Sequence, residues 1–304
     1  MSGSVRLGLD IGGTKIEAVL LDADGAEIAR QRTAMPVDDY PAALQATVDL
    51  VREIETRAGA RAAGAGIGSP GTLSPRTGLL RNAHNTPLAE QTPDKDFARV
   101  LERPVRFEND ATCFALAEAK SGAGKGAHSV LGAILGTGVG GGIIIGGEPI
   151  TGHNAIGSEW GHNRLPATSL EELDAPRCDS GRIGSIEAWC SGPGLTRDHF
   201  KRTGSEMDPA MICAFAEAGD AGARESLDKH ADRVARGLAL VVNIVDPDVI
   251  VLGGGLSKMR HLYRVLPDLM RPHVATDDFT TPIVENRLGD SAGVIGAAWL
   301  CPVG

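Results

Sequence analysis

Two glycine-rich stretches and one strand-end aspartate have the residue types and spacing for phosphate chemistry. The first stretch, Asp10-Ile11-Gly12-Gly13-Thr14-Lys15, follows the apolar run at residues 5–9. Its glycines let backbone N–H groups approach phosphate oxygens closely and take φ > 0 without steric cost. Thr14 adds a hydroxyl, Lys15 a positive charge, and Asp10 a carboxylate able to hold a hydrated Mg2+. Residues 16–21 are apolar and β-compatible, so the unit reads as strand, glycine turn, strand. A P-loop differs, because its lysine opens a helix after a longer glycine loop. A plain glycine-bearing β-hairpin is the competing reading.

The second stretch, Gly136-Thr137-Gly138-Val139-Gly140-Gly141-Gly142, lies between the apolar runs 130–135 and 143–145. Gly136, Gly138 and Gly141 formally match the dinucleotide fingerprint, but that motif needs a helix after its glycines. Three isoleucines and Gly146-Gly147 follow instead, which reads as a strand and a turn. A second phosphate-contacting turn fits better, and the shared layout hints at an internal duplication with one such turn per half. Asp110 stands between a short strand at 105–107 and a helix at 111–119. It is either an N-cap, typically worth ~1 kcal/mol, or a general base aimed from a strand end at a substrate hydroxyl. Asn109 could hydrogen-bond the same substrate.

The elements that must position these residues alternate between strand and helix patterns. Residues 41–57 carry Leu44, Val48, Val51 and Ile54 at helical spacing, with Pro41 suited to a first turn. Residues 64–67 read as a strand ending in Gly68-Ser69-Pro70-Gly71. Residues 223–245 form a long helix with Leu227, Ala231, Val234, Leu238 and Val242 on one face. Residues 249–252 read as a buried strand, Gly253-Gly254-Gly255 opens the next helix, and 293–300 close the chain as an apolar helix. Such alternation implies an α/β architecture with largely parallel sheets, whose ligands sit at the carboxyl ends of strands.

Composition narrows the function classes. The 304 residues, 42% hydrophobic, suffice for roughly two domains with substantial cores. No apolar run is long enough for a membrane span, and the first residues show no secretion signal. A formal charge of −9 argues against an extended nucleic-acid surface, which needs clustered Lys and Arg. Cys113, Cys178, Cys190, Cys213 and Cys301 are an odd set without close pairing, so a disulfide framework is not expected and a reducing cytoplasm is the natural setting.

Several motifs converge on one group. Asp10 to Lys15, Gly66-Ile67-Gly68-Ser69-Pro70-Gly71, Glu108-Asn109-Asp110, the 135–142 turn, Glu159-Trp160-Gly161-His162 and the 252–257 segment resemble the ROK family of sugar kinases in order and spacing. Ser74-Pro75-Arg76-Thr77-Gly78 and residues 246–251 look fructokinase-like. The resemblance implies an actin-like, two-lobed α/β fold with ATP in an interlobe cleft, expected as lobes 1–118 plus 290–304 and 119–289. It assigns Asp110 as the base that activates a sugar 6-hydroxyl. It gives Gly71, Asn109, Glu159, His162 and Glu187 to the sugar. Gly12, Gly13, Thr14 and Lys15 with Gly136, Thr137 and Gly138 would hold the triphosphate, Gly253, Gly254 and Gly255 the adenosine, and Asp10 a water-bridged Mg2+. A homodimer is also implied.

Two departures from the family pattern stand out. Many members carry a zinc motif of a histidine followed by C-x-C-G-x-x-G-C-x-E, whereas this chain has Ser180 and Ser185 at two thiolate positions. Only His162 and Cys178 remain of the four ligands, so the family zinc is expected to be lost. Relatives often show Asn-x-x-Trp where this chain reads His84-Asn85-Thr86-Pro87, which leaves the exact sugar open. Asn82 and Asn85 read first as turn residues, with compensation for the lost asparagine as the alternative that would put Asn85 on the sugar. The expected activity is ATP-dependent phosphorylation of a hexose, with fructose first and N-acetylglucosamine or glucose as the alternative. The family also includes sugar-responsive repressors with an N-terminal helix-turn-helix. Only nine residues precede Asp10 here, and the negative charge also speaks against that reading. A catalytically silent sugar-binding protein is disfavoured by Asp110 together with both turns.

Overall fold

The structure, a computed structural model, describes residues 4–37, 39–83, 86–173, 175–178 and 180–302. The chain opens with β1 (Arg6–Ile11), β2 (Lys15–Leu21), β3 (Glu27–Ala34) and helix α1 (Tyr40–Ala58). Next come β4 (Ala65–Ser69), β5 (Thr72–Leu73), β6 (Leu80–Arg81), α2 (Pro93–Leu101), β7 (Val105–Asn109) and α3 (Asp110–Ser121). The middle holds β8 (Ser129–Leu135), β9 (Val139–Ile145), β10 (Glu148–Pro149), α4 (Leu170–Leu173), α5 (Ile186–Cys190), α6 (Gly192–Thr203) and α7 (Pro209–Glu217). The long α8 (Ala221–Val245), β11 (Val249–Gly253), α9 (Arg260–Met270), β12 (Ile283–Glu285) and α10 (Ala292–Leu300) complete the chain.

Two compact units result. One comprises Met1–Gly126, Gly142–Gly157 and Arg287–Gly304, and the other Ala127–Gly141 and Ser158–Asn286. These divisions differ from the expected 118/119 and 289/290, chiefly because Gly142–Gly157 returns to the first unit. The cause is local packing. A Cβ on Gly142 would meet the Ala115 side chain and the Thr112 backbone of α3, and Thr151 Oγ1 donates to Glu108 of β7.

In the first unit the sheet order is β3-β2-β1-β4-β7, with β1 antiparallel to β2 and parallel to β4. Leu7, Leu9, Ile11 and Ile16 are fully buried. Helix α1 forms as its periodicity predicts. Asp39 caps it by accepting from the Ala42 N–H, Gly59 ends it in the left-handed region, and Leu44, Val48, Val51 and Ile54 are buried. The small residues of α10 allow intimate packing on the sheet. A Cβ on Gly66 would collide with the Ala297 carbonyl, so only glycine admits the helix there. That close approach lets β1, β4 and β7 end together, with Asp10 opposite Gly68 and Ser69 opposite Asn109.

The second sheet runs β10-β9-β8-β11-β12. β8 and β9 form a hairpin, β8 and β11 are parallel, and β11 and β12 are parallel. Strand order and directions therefore repeat those of the first sheet, which supports the duplication suggested by the two glycine turns. The second turn is shorter than the sequence pattern suggests. β9 already begins at Val139, so Gly140, Gly141 and Gly142 lie within the strand.

Candidate active site

In the first unit, Gly12, Gly13 and Thr14 connect β1 to β2, closed by the Gly12 N–H donating to Lys15 O at 3.1 Å. Asp10, near the end of β1, pairs in register with Glu17. Burial foremost, and then the Asp110 carboxylate, push the Asp10 carboxyl up to about 6, against the pull of Lys15 and Arg32. A carboxylate so disfavoured in its charged form gains from a hard divalent cation, so this oxygen site fits Mg2+. Lys15 is not a free cation, because its Nζ lies 3.4 Å from Glu17 Oε2. Glu17 is fully buried and also binds Arg30 at 2.8 Å and Arg32 at 2.8 Å. Burial opposes its ionisation, yet the two guanidinium partners hold its carboxyl below the usual range. Sequence reasoning missed this cluster. Its signal was a lone acid in the apolar run 16–21 facing arginines at alternate positions of the neighbouring strand.

Asp110 opens α3, but the N-cap is Asn109, whose Oδ1 accepts the Ala111 N–H at 2.9 Å. The capping alternative for Asp110 is thereby corrected, although its own Oδ1 also accepts from that N–H. Asn109 Nδ2 donates to Gly71 O at 3.1 Å, tying the turn after β4 to the head of α3. Asp10, Asn109, Asp110 and Gly71 thus gather at the strand ends of one sheet. Asn85 lies outside the described residues.

In the second unit, the Gly136 N–H donates to Gly138 O at 2.9 Å and the Gly192 N–H to Gly136 O at 2.7 Å. Glu187, in the first turn of α5, lies over this hairpin. Its Oε2 accepts the Val139 N–H at 3.1 Å, and a Cβ on Gly138 would sit 2.8 Å from that oxygen. A side chain at 138 would therefore push the Glu187 carboxylate aside. Trp160 Nε1 donates to Gly140 O at 2.8 Å, setting the short turn Trp160–His162 against β9. Glu159 and His162 approach to 3.4 Å. Gly253 ends β11 and Gly255 starts a single 3-10 turn, so α9 begins only at Arg260 rather than at the glycines. A cavity of about 530 Å³ adjoins that turn, lined by Gly255, Leu256, Lys258, Met259, Cys213 and Arg224 among others.

The residues at the zinc positions do come together. Cys178 Sγ and Ser180 Oγ are 2.9 Å apart, and Ser180 Oγ lies 3.5 Å from His162 Nδ1. Burial raises the Cys178 thiol, but hydrogen bonds with Ser180, Ser185 and the backbone outweigh it and hold it below its ordinary value. Glu187, grouped with His162 at the sugar by the family resemblance, brings a carboxylate within 4.8 Å of the His162 and Cys178 donors. One imidazole, one thiol and one carboxylate already engaged by Val139 do not match the closed four-ligand N/S set of structural zinc.

Two mixed sheets of repeated topology, each with a glycine hairpin at its head, define the actin-like α/β fold. The ROK family model matches residues 6–303, and the chain belongs to the ROK family of sugar kinases. It is 39% identical over 300 residues to an N-acetyl-D-glucosamine kinase of Yersinia pseudotuberculosis, covering 96% of this chain and 97% of that one. A kinase of the same name from Escherichia fergusonii is 40% identical, with 96% and 98% covered. Among solved structures, a ROK hexokinase from Thermus thermophilus is similar at TM-score 0.87 and 32% identity, with 97% of each chain covered. A Streptomyces griseus ROK glucokinase in complex with glucose and AMPPNP gives TM-score 0.74 and 28% identity, over 98% and 99%.

Proposed function

We propose that this protein transfers the γ-phosphoryl group of ATP to the 6-hydroxyl of N-acetylglucosamine. The observation that carries the choice of sugar is the 39–40% identity, nearly end to end, with kinases of that name. Fructose, placed first by the sequence motifs, draws no such support. Asp110 takes the proton of the attacking hydroxyl, for which its strand-end placement beside Asn109 and Gly71 suits it. Gly71, Asn109, Glu159, His162 and Glu187 bind sugar hydroxyls. The turns Gly12-Gly13-Thr14 and Gly136-Thr137-Gly138 contact phosphate oxygens, while the N–H groups of Gly12 and Gly136 close the turns themselves. Gly253, Gly254 and Gly255, with the cavity beside them, receive the adenosine. Asp10 would hold Mg2+ through water, and the ion would supply neutralisation of charge on the phosphates.

The decisive experiment is a coupled ADP-release assay across N-acetylglucosamine, N-acetylmannosamine, glucose, mannose and fructose. The expected outcome is the highest kcat/KM for N-acetylglucosamine, by about tenfold or more over fructose. A higher value for fructose overturns the assignment. We further propose that no structural zinc is held at His162 and Cys178. Metal analysis of protein purified without added zinc should find well under one equivalent, and about one equivalent would refute this.

A further inference from the structure

The segment between His162 and Glu187 is long, and of its described residues only Leu165 near its start and Ile186 at its very end are buried apolar side chains. Loops of this length need an anchor of their own. Its ends are cross-tied, with the Leu165 N–H donating to Gly184 O and the Ile186 N–H to Asn163 O, both at 2.8 Å. Its middle is held differently. Glu172 of α4, nearly buried, accepts Arg233 Nε at 2.9 Å and Arg236 Nη2 at 2.7 Å through Oε1. Its Oε2 accepts Arg236 Nη1 and the Thr168 N–H, both at 3.0 Å.

Both arginines stand on α8 and are 3% and 2% exposed, so they rely on this carboxylate as a buried counter-charge. The same arginines reach further. Arg236 donates to Pro166 O inside the loop. Arg233 stacks over the Trp189 ring at 4.2 Å, two residues beyond Glu187, and pairs with Asp198 at 3.1 Å. Although burial opposes it, the paired guanidinium groups hold the Glu172 carboxyl down to about 2, so the clamp stays charged at neutral pH.

We propose that Glu172, clamped by Arg233 and Arg236, is the positioning residue that fixes this loop and so holds His162 and Glu187 in place for the sugar. The ionic clamp does here what a metal cross-link would do with a full ligand set. The second half of the proposal rests on the assignment of His162 and Glu187 to sugar binding.

The test compares the full-length protein with its Glu172→Gln and Arg236→Lys variants. It measures tryptic cleavage at Arg177 and Arg182 inside the loop, melting temperature, and KM for sugar and for ATP. Glu172→Gln should be cut at those two sites at least tenfold faster, while the rest of the chain keeps its resistance. Sugar KM should rise about tenfold or more, with ATP KM within twofold. Arg236→Lys, which keeps a charge, should show the same split at smaller amplitude. Unchanged loop cleavage in both variants overturns the clamp, as does a uniform rise in cleavage that tracks a lower melting temperature. Faster loop cleavage with ATP KM rising as much as sugar KM overturns the positioning role. Should the wild type phosphorylate none of the sugars, the kinase reading fails separately, while cleavage still decides the clamp.

Discussion

Asp10 and Asp110 stand a hundred residues apart in sequence yet feel each other's charge at the end of one sheet. Asp110→Asn removes the proposed base and should lower kcat by about 10²–10⁴-fold while sugar affinity, measured by calorimetry, stays within a few fold. Near-normal turnover would dismiss the role. Asp10→Asn should act the opposite way on the two properties it touches. It weakens use of Mg-ATP, and it stabilises the ligand-free protein at pH 7.5 by roughly 1–3 kcal/mol, because the charged form of Asp10 is disfavoured on folding. Urea unfolding of both proteins at that pH checks the sign. Asp110, Asp10 and the glycines were legible because strand ends and glycine turns are local patterns. The Glu17 cluster was not, since its partners lie on the next strand, and Asn109 rather than Asp110 proved to be the cap.

At the scale of elements, α1, α3, α8, β1, β8 and β11 follow from periodicity and composition, and their structural bounds lie within a few residues of the expected ones. The exceptions are informative. The glycines at 140–142 read as a turn, but they belong to β9, where Gly141 and Gly142 face close backbone neighbours. The glycines at 253–255 lead into a single 3-10 turn, not a helix. The loop after His162 was expected to lack its metal, and the structure brings Cys178 and His162 each within hydrogen-bonding reach of Ser180. The double variant Ser180→Cys/Ser185→Cys should therefore bind about one equivalent of zinc, detectable by mass spectrometry under native conditions. No uptake would show that the loop backbone is set for hydrogen bonds rather than for a tetrahedral ion.

Across the whole molecule, titration of buried groups sets the response to acid. His230 is fully buried and pushed down to about 4, chiefly by burial, and burial also lowers His199 and His261. Unfolded histidines take up protons near pH 6.5 whereas these resist, so stability falls as pH drops from about 6.5 towards 4, by up to about 3 kcal/mol for His230. Asp10 works against this. Its raised carboxyl gains a proton in the folded state first, adding stability as pH falls through about 6 towards 4. The urea midpoint of wild type should therefore change little across that window, while that of Asp10→Asn should fall steeply. Equal slopes would remove Asp10 from the balance. Below pH 4.5 the Glu172 clamp adds its own loss, since a depressed carboxyl gives stability only above its unfolded pKa.

Short-range order was readable from the chain alone: the two strand–glycine–strand units, the helical faces, the α/β alternation and the kinase-like motif series. All depend on neighbours within a few residues, where backbone sterics and side-chain period dictate the outcome. Tertiary structure alone decided the rest. It placed Gly142–Gly157 with the first unit, turned Lys15 towards Glu17, set Glu187 over Gly138 and joined Glu172 to arginines more than sixty residues away. Buried charge takes whatever partner the packed fold brings within reach, and sequence spacing carries no record of that distance.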